Sequence, residues 1–211
     1  MARGLFITLE GIEGSGKTTQ AMVLKDLLRA KGFEVVVTRE PGGPPIAEKI
    51  RDILLDPENK QMVALTELFL YEASRAQHVA EIIRPALDAG KAVICDRFFD
   101  ASTAYQGSAR GLDLATVRNL NLLATSGLAP DLTLVFDLPV EVGLRRLGRR
   151  PDRIESETLE FHERVRRGYL EMAGFEGFRI KVIDASGSID DISGKVRDIV
   201  EAWLSARSEG D

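Results

Sequence analysis

The sequence predicts an α/β fold, a five-stranded parallel sheet flanked by helices on both faces. Three observations carry the prediction. Five short apolar runs rich in β-branched residues recur along the 211 residues. Each is separated from the next by a segment of helical periodicity, and the first opens directly onto a glycine-rich turn. Such alternation makes the strands parallel, because each helix returns the chain to the edge where the previous strand began.

The strands are expected at Leu5–Leu9, Glu34–Thr38, Ala92–Cys95, Leu132–Asp137 and Arg179–Ile183. A helical pattern follows the first strand through about Ala30. Sheets of this kind bind ligands at the carboxyl ends of their strands. Four of the five ends carry charged or glycine-rich sequence: Glu10–Thr19, Arg39–Pro45, Asp96–Phe98 and Asp184–Ser188. The length fits one domain, residues 1–211.

Lys and Arg total 28 against 33 Asp and Glu, a formal charge of −5. That balance gives no global basic field to hold a nucleic-acid backbone, so no polynucleotide partner is expected. Cys95 is the only cysteine, which excludes an internal disulfide and fits a reducing, cytoplasmic setting. The apolar run after Met1-Ala2-Arg3 is too short for a signal-peptide core, and no stretch approaches the roughly 18 apolar residues of a membrane span. No membrane partner is expected.

After the first strand stands Gly11-Ile12-Glu13-Gly14-Ser15-Gly16-Lys17-Thr18, then Thr19, a full match to G-x-x-x-x-G-K-[ST] between a strand and a helix. This is the phosphate loop of the P-loop NTPase fold. Its glycines let backbone N–H groups close round a phosphate, and the helix dipole adds to the attraction. Lys17 is expected to reach the β- and γ-phosphates of ATP, and the Thr18 hydroxyl to ligate Mg²⁺. A turn that only packs would explain the glycines but not Lys17 and Thr18. Asp96, at the end of the third strand, is expected to hold the same ion.

A GTPase switch would share the loop but needs N-K-x-D. Asn59-Lys60-Gln61-Met62 lacks the Asp, and Asp184-Ala185-Ser186-Gly187 comes too late in the chain for a switch segment. A kinase that brings two polyanions together needs compensating cations. Between Arg145 and Arg167 stand eight arginines against five acids, and Arg149-Arg150-Pro151-Asp152-Arg153 interrupts two helical patterns. Residues of about 145–157 therefore read as a lid, with Arg149, Arg150 and Arg153 closing over phosphates. Arg164, Arg166 and Arg167 read instead as a solvated helix face with ion pairs one turn apart. A monophosphate acceptor is largely dianionic near neutral pH and needs no general base, and none is legible. His78 and His162 stand alone on predicted helices, where packing or solvation is the default.

Together these motifs resemble the thymidylate kinases, members of the nucleoside monophosphate kinase superfamily. The resemblance runs from about Phe6 to about Trp203. It rests on the phosphate loop, Thr38-Arg39-Glu40-Pro41-Gly42-Gly43, Ala73-Ser74-Arg75, Asp96-Arg97-Phe98 with Ser102, Tyr105-Gln106-Gly107 and Asp152-Arg153-Ile154-Glu155. It implies transfer of the γ-phosphoryl group of ATP to thymidine monophosphate with Mg²⁺, by a homodimer. The alternatives are a kinase of another nucleoside monophosphate, or a regulatory P-loop protein that binds a nucleoside triphosphate.

At matching positions the resemblance implies that Glu13 lies near the acceptor's 3′-hydroxyl and that Arg97 grips its 5′-phosphate. Arg75 would donate to a thymine carbonyl, with Tyr71 stacked on the ring one helical turn earlier. The alternative for Tyr71 is core packing with Leu68 and Phe69. Ser102 and Gln106 would line the base and phosphate side, Tyr105 would crowd the ribose 2′ position, and Arg39 would belong to the acceptor site. Gly14 and Ser15 leave the loop without an arginine, so the lid must supply the catalytic one, as in the lid-arginine subgroup. Arg145 or Arg149 and the segment Asp184–Ser188 are the candidates for adenine. Pro44-Pro45 and a short, Pro151-containing lid depart from the family's usual pattern, although proline suits a helix start.

Overall fold

The computed structural model describes residues 4–148 and 150–208, and Ser208 by its backbone alone. The five apolar runs form β1 (Phe6–Glu10), β2 (Val35–Arg39), β3 (Ala92–Asp96), β4 (Leu132–Asp137) and β5 (Ile180–Asp184). Each lies within one residue of its sequence expectation. All pair in parallel, in the order β2-β3-β1-β4-β5. β1 is therefore central, and the chain leaves it on both sides. The carboxyl end of β1 is thus the topological switch point where such sheets open a crevice.

Between strands run α1 (Lys17–Ala30), α2 (Pro45–Leu55) and α3 (Ala64–His78). α3 continues through a π-helical stretch, Val79–Ile83, into α4 (Arg84–Asp88). After β3, α5 (Phe99–Ser102) passes likewise into a π-helical stretch, Thr103–Ala109, before α6 (Leu114–Thr125). π-Helical insertions widen a helix locally and tend to fall at functional sites. α7 (Val140–Arg146), α8 (Leu159–Phe175) and α9 (Ile189–Ser208) complete the chain. Pro45 occupies the first turn of α2, where its missing N–H is no loss.

Side chains alternate across the pleat, so each strand feeds both faces. Ile7, Leu9 and Ile94 pack with Ala21, Leu24 and Leu28 of α1 and Ile192, Val196 and Val200 of α9. Phe6, Val93 and Cys95 point the other way, against Val79, Ile83, Ala86 and Leu87. The sheet is thus covered on both faces, with the strand-to-helix loops at the carboxyl ends of the strands. The expected lid falls between α7 and α8. Asp152 Oδ1 accepts from the backbone of Ile154 and Glu155, 2.9 Å each, which turns the chain toward α8.

Candidate active site

At the end of β1 the chain turns through Gly11–Gly16 before α1 begins at Lys17. Gly14 has φ +69°, and a Cβ there would sit 2.1 Å from the Gly143 carbonyl oxygen of α7. A Cβ on Gly143 would sit 2.4 Å from the Glu13 carbonyl oxygen, so two glycines let the loop and α7 touch backbone to backbone. Lys17 Nζ is held inside the loop, donating to Gly11 O at 3.1 Å and Ile12 O at 2.8 Å. Burial, and then the charge of Arg97, push its ammonium down to about 8. The Thr18 hydroxyl donates to Asp96 Oδ2 at 3.1 Å, joining the loop to the end of β3.

The wall beside the loop is built round Arg97. Its backbone has φ 71°, the left-handed region, a conformation worth on the order of 1–3 kcal/mol of strain in a non-glycine residue. The surroundings over-determine it. Its N–H donates to Leu9 O, Nη2 donates to Glu13 Oε1 at 3.0 Å, and Nη1 donates to the Tyr169 hydroxyl at 3.2 Å. The guanidinium also lies over the Tyr105 ring, 4.9 Å from its centroid. The Tyr105 hydroxyl donates to the same Glu13 oxygen at 2.6 Å. Burial alone would raise the Glu13 carboxyl, but Arg97, His162 and Lys17 hold it well below the ordinary carboxylate range. Behind this set, Tyr169 donates to Glu10 Oε2 at 2.7 Å, and Glu10 Oε1 accepts from Phe98 N at 2.7 Å. Burial and the neighbouring Asp100 push Glu10 up to about 8.

The loop, Asp96, Arg97, Glu13 and Tyr105 face one cavity of about 590 Å³. Of the residues expected from sequence, Glu13, Gly14, Gly16, Lys17, Thr18 and Thr19 line it along the loop. Arg39, Tyr71, Asp96, Arg97, Ser102, Tyr105 and Gln106 line it from the other elements. Gly11, Ile12 and Ser15 lie behind the loop surface. Tyr71 is half-buried while its neighbour Phe69 is exposed, so Tyr71 turns to the cavity rather than joining a Leu68–Phe69 core. Arg39, nearly half exposed, is tied to Glu48 by two bonds of 2.7 and 3.1 Å.

Other expected residues sit elsewhere. Arg75 is not in the lining; it is fully buried, with Nε on Glu40, Nη1 on Glu72, Ser102 and Asn121, and Nη2 on Phe98 O. It underlies Ser102 and braces three elements. Arg153 is buried as well, donating from Nε to Leu54 O at 2.7 Å and pairing through Nη1 with Glu67 at 2.6 Å. It fastens the segment between α7 and α8 to α2 and α3 instead of entering the cavity. Arg150 is exposed and outside the lining, and Arg149 lies outside the described residues. On the solvated helix face, Arg164 pairs with Glu160 at 2.7 Å, one turn away, whereas Arg166 reaches across to Asp137 at 2.6 Å.

Four residues outside the expected set belong to the site. Arg51 of α2 and Arg146 of α7 line the cavity. Arg146 bridges Gly14 O at 3.4 Å and Ala185 O at 3.5 Å, bringing the Asp184–Ser188 turn to the loop. Tyr169 and His162 of α8 stand behind the wall, against Arg97 and Glu13. His162 Nδ1 stands 3.4 Å from Glu13 Oε2, fully buried, so it is neither a solvated nor a merely apolar histidine. The only sequence signal was their spacing of seven residues, two turns along one helix face.

Comparison with known proteins fits this arrangement. A family model described as thymidylate kinase matches residues 9–196. The chain is 55% identical over 199 residues to the thymidylate kinase of Syntrophotalea carbinolica, covering 90% of this chain and 92% of the relative. It is 49% identical over 215 residues to that of Desulfovibrio desulfuricans, covering 98% and 99%. A crystal structure of thymidylate kinase from Ehrlichia chaffeensis superposes with a TM-score of 0.76 at 34% identity, covering 94% of this chain and 99% of that one.

Proposed function

The chain belongs to the thymidylate kinase family, and from that premise we propose that it moves the γ-phosphoryl group of ATP onto the 5′-phosphate of thymidine monophosphate. A 5′-phosphate oxygen forms the new bond to the γ-phosphorus, the bond to the β-bridging oxygen breaks, and ADP leaves with thymidine diphosphate. The observation that carries the reading is a single cavity with two anion-binding walls: the Lys17 loop on one side and the pre-oriented Arg97 on the other. A hydrolase or switch has no use for the second wall.

In this reading the loop and Lys17 hold the triphosphate, and Arg97 holds the acceptor's phosphate. Glu13 meets the sugar, Tyr71 stacks on the base, and Ser102, Gln106 and Tyr105 line the base and ribose. The Thr18 hydroxyl and Asp96 carboxylate are hard oxygen donors, too few for a dedicated cage, which suits Mg²⁺ that keeps its waters and phosphate oxygens. The ion would neutralise charge on the triphosphate. Arg146, already on the loop, and the lid arginines Arg149 and Arg150 supply cation near the transferred group. Arg153 acts by anchoring the lid, and Arg75 by holding Ser102.

We assign the homodimer to the face formed by α2, α3 and α6, where Ile46, Ile53, Leu65, Phe69 and Leu122 are exposed. The second copy is favoured as occupant because these apolar groups lie on α3 and on the two helices, α2 and α6, that pack against it. The cytoplasm, where ATP and the acceptor are made, is the setting.

The test is ADP release with ATP and Mg²⁺ against a panel of nucleoside monophosphates, repeated on Arg97→Ala. Fast turnover confined to thymidine monophosphate and lost in the variant is expected. ADP release indifferent to every monophosphate refutes the assignment.

A further inference from the structure

Glu67 of α3 is a buried carboxylate, 1% exposed, that takes donors from two separate segments, the π-helical stretch after α5 and the connection between α7 and α8. Oε1 accepts from Gln106 Nε2 at 2.8 Å and from Arg110 Nε at 3.1 Å. Oε2 accepts from Arg110 Nη2 at 3.0 Å and pairs with Arg153 Nη1 at 2.6 Å. Burial would raise its carboxyl, but Arg110 and Gln106 bring it below its ordinary value, so it is an anion.

An ionised carboxylate accepts hydrogen bonds and never donates them, so Gln106 can meet it only through its NH₂. The two ends of a glutamine amide are nearly alike in shape, and here the carboxylate decides which is which. Gln106 also lines the cavity, together with Tyr71, Ser102 and Tyr105. Its Oε1 has no donor among the described residues and is not one of the sealed, unsatisfied atoms. That oxygen therefore faces the cavity as a bare acceptor.

Resting on the acceptor assigned above, we propose that Glu67 is a specificity-determining positioning residue: by fixing the Gln106 amide with its oxygen toward the cavity, it selects a pyrimidine whose N3 carries a hydrogen over cytosine. Thymine and uracil donate N3–H to that oxygen. Cytosine brings a lone pair at N3, and two acceptors face each other with no hydrogen between them. Glu67→Gln removes the constraint. A neutral amide at 67 accepts from the arginines through its oxygen and donates to Gln106 Oε1 through its NH₂. The Gln106 amide then turns its own NH₂ to the cavity, where it donates to cytosine N3.

The experiment measures kcat/KM for thymidine, deoxyuridine and deoxycytidine monophosphates on the wild-type enzyme, Glu67→Gln, Gln106→Leu and the double variant. Glu67→Gln is expected to raise the deoxycytidine-to-thymidine ratio at least about tenfold. Gln106→Leu is expected to raise it too, and to abolish any further effect of Glu67→Gln. An unchanged ratio in a folded Glu67→Gln enzyme, both substrates falling together, overturns the proposal and leaves Glu67 an anchor for the lid. If Glu67→Gln fails to fold, Gln106→Leu decides, since it keeps Glu67 with both arginines: a tenfold loss of discrimination supports the proposal and an unchanged ratio overturns it. A wild-type enzyme that ignores thymidine monophosphate removes the functional reading itself, whereas one that prefers it with ratios unmoved by the variants removes only the role of Glu67.

Discussion

Lys17 is the perturbed group that lies on the phosphate loop, and nucleotide binding is expected to restore it. The ammonium is buried and stands near Arg97, which together bring it to about 8. A triphosphate placed on the loop supplies negative charge at Nζ and returns the group to about 10.4 or above, the ordinary lysine range. Binding then takes up protons, about 0.1 per site at pH 7, about 0.5 at pH 8 and about 0.9 at pH 9. The same linkage weakens binding about tenfold between pH 7 and pH 9, or about 1.4 kcal/mol, because the uncharged amine must be protonated first. The sign is that of a lowered lysine: affinity is full below about 8 and is lost as pH rises through that value. Titration calorimetry with a non-hydrolysable ATP analogue, in two buffers of different ionisation enthalpy at pH 8 to 9, reads the uptake directly. The nucleotide's terminal phosphate, with a second pKa of about 6, is already ionised there and contributes nothing. Lys17→Arg, always charged, should show none of the uptake. Heats that do not depend on buffer at pH 8.5 in the wild-type protein would refute the reasoning.

Other perturbations have defined outcomes. Arg153→Ala removes a buried partner of Glu67 and should cost about 3–5 kcal/mol, lowering Tm by on the order of 6 to 20 °C; a melt within 2 °C of wild type would show that the pair contributes nothing. Gly143→Ala places a Cβ against the Glu13 carbonyl and should weaken nucleotide binding at least about tenfold, although Gly143 lines no part of the cavity. An unaltered affinity by calorimetry would mean that α7 yields instead of the loop. Phe69→Glu and Leu122→Glu on the exposed α2–α3–α6 face should shift the sedimentation coefficient from dimer to monomer at micromolar concentration, and a wild-type protein that sediments as a monomer at high concentration would remove the dimer. Tyr169→Phe deletes the hydroxyl between Arg97 and Glu10 and should reduce kcat/KM for the acceptor by about tenfold, the loss of one charge-assisted hydrogen bond; equal kinetics would show that Glu13 alone positions Arg97.

The sheet was legible because strand periodicity and turn chemistry are local, and every strand fell within one residue of its expected bounds. The phosphate loop was legible for the same reason, its partners lying within eight residues of one another. Asp96 and Arg97 were legible as the end of a strand. Burial was not. Arg75 and Arg153 carry the same side chain as Arg97, yet two are braced inside the wall and one faces the cavity, a difference set by which carboxylates tertiary packing brings near. Glu40 and Glu72 capture Arg75, and Glu67 captures Arg153. Tyr169 and His162 were equally hidden, since they meet Glu10 and Glu13 from about 150 residues away.

The cavity's charges explain why a run of arginines alone could not define the site. Lys17, Arg39, Arg51, Arg97 and Arg146 line it, and so do Glu13, Glu40, Asp96, Asp152 and Glu155, as many acids as bases. Such a cavity is no permanent sink for anions, so its selectivity has to come from orientation. Arg97 shows how orientation is obtained: a left-handed backbone, a carboxylate, a tyrosine hydroxyl and an aromatic face each remove one freedom from the guanidinium. A phosphate that meets it needs no reorganisation of the donor, the condition under which a fixed charge stabilises a transferring group most. Two of the side chains behind that wall, Tyr169 and His162, stand on α8, which begins where the segment proposed as a lid ends. Any displacement of α8 must therefore act on Arg97 and Glu13, and in the proposed reading a lid that closes through the segment before α8 would couple the donor's cover to the acceptor's grip.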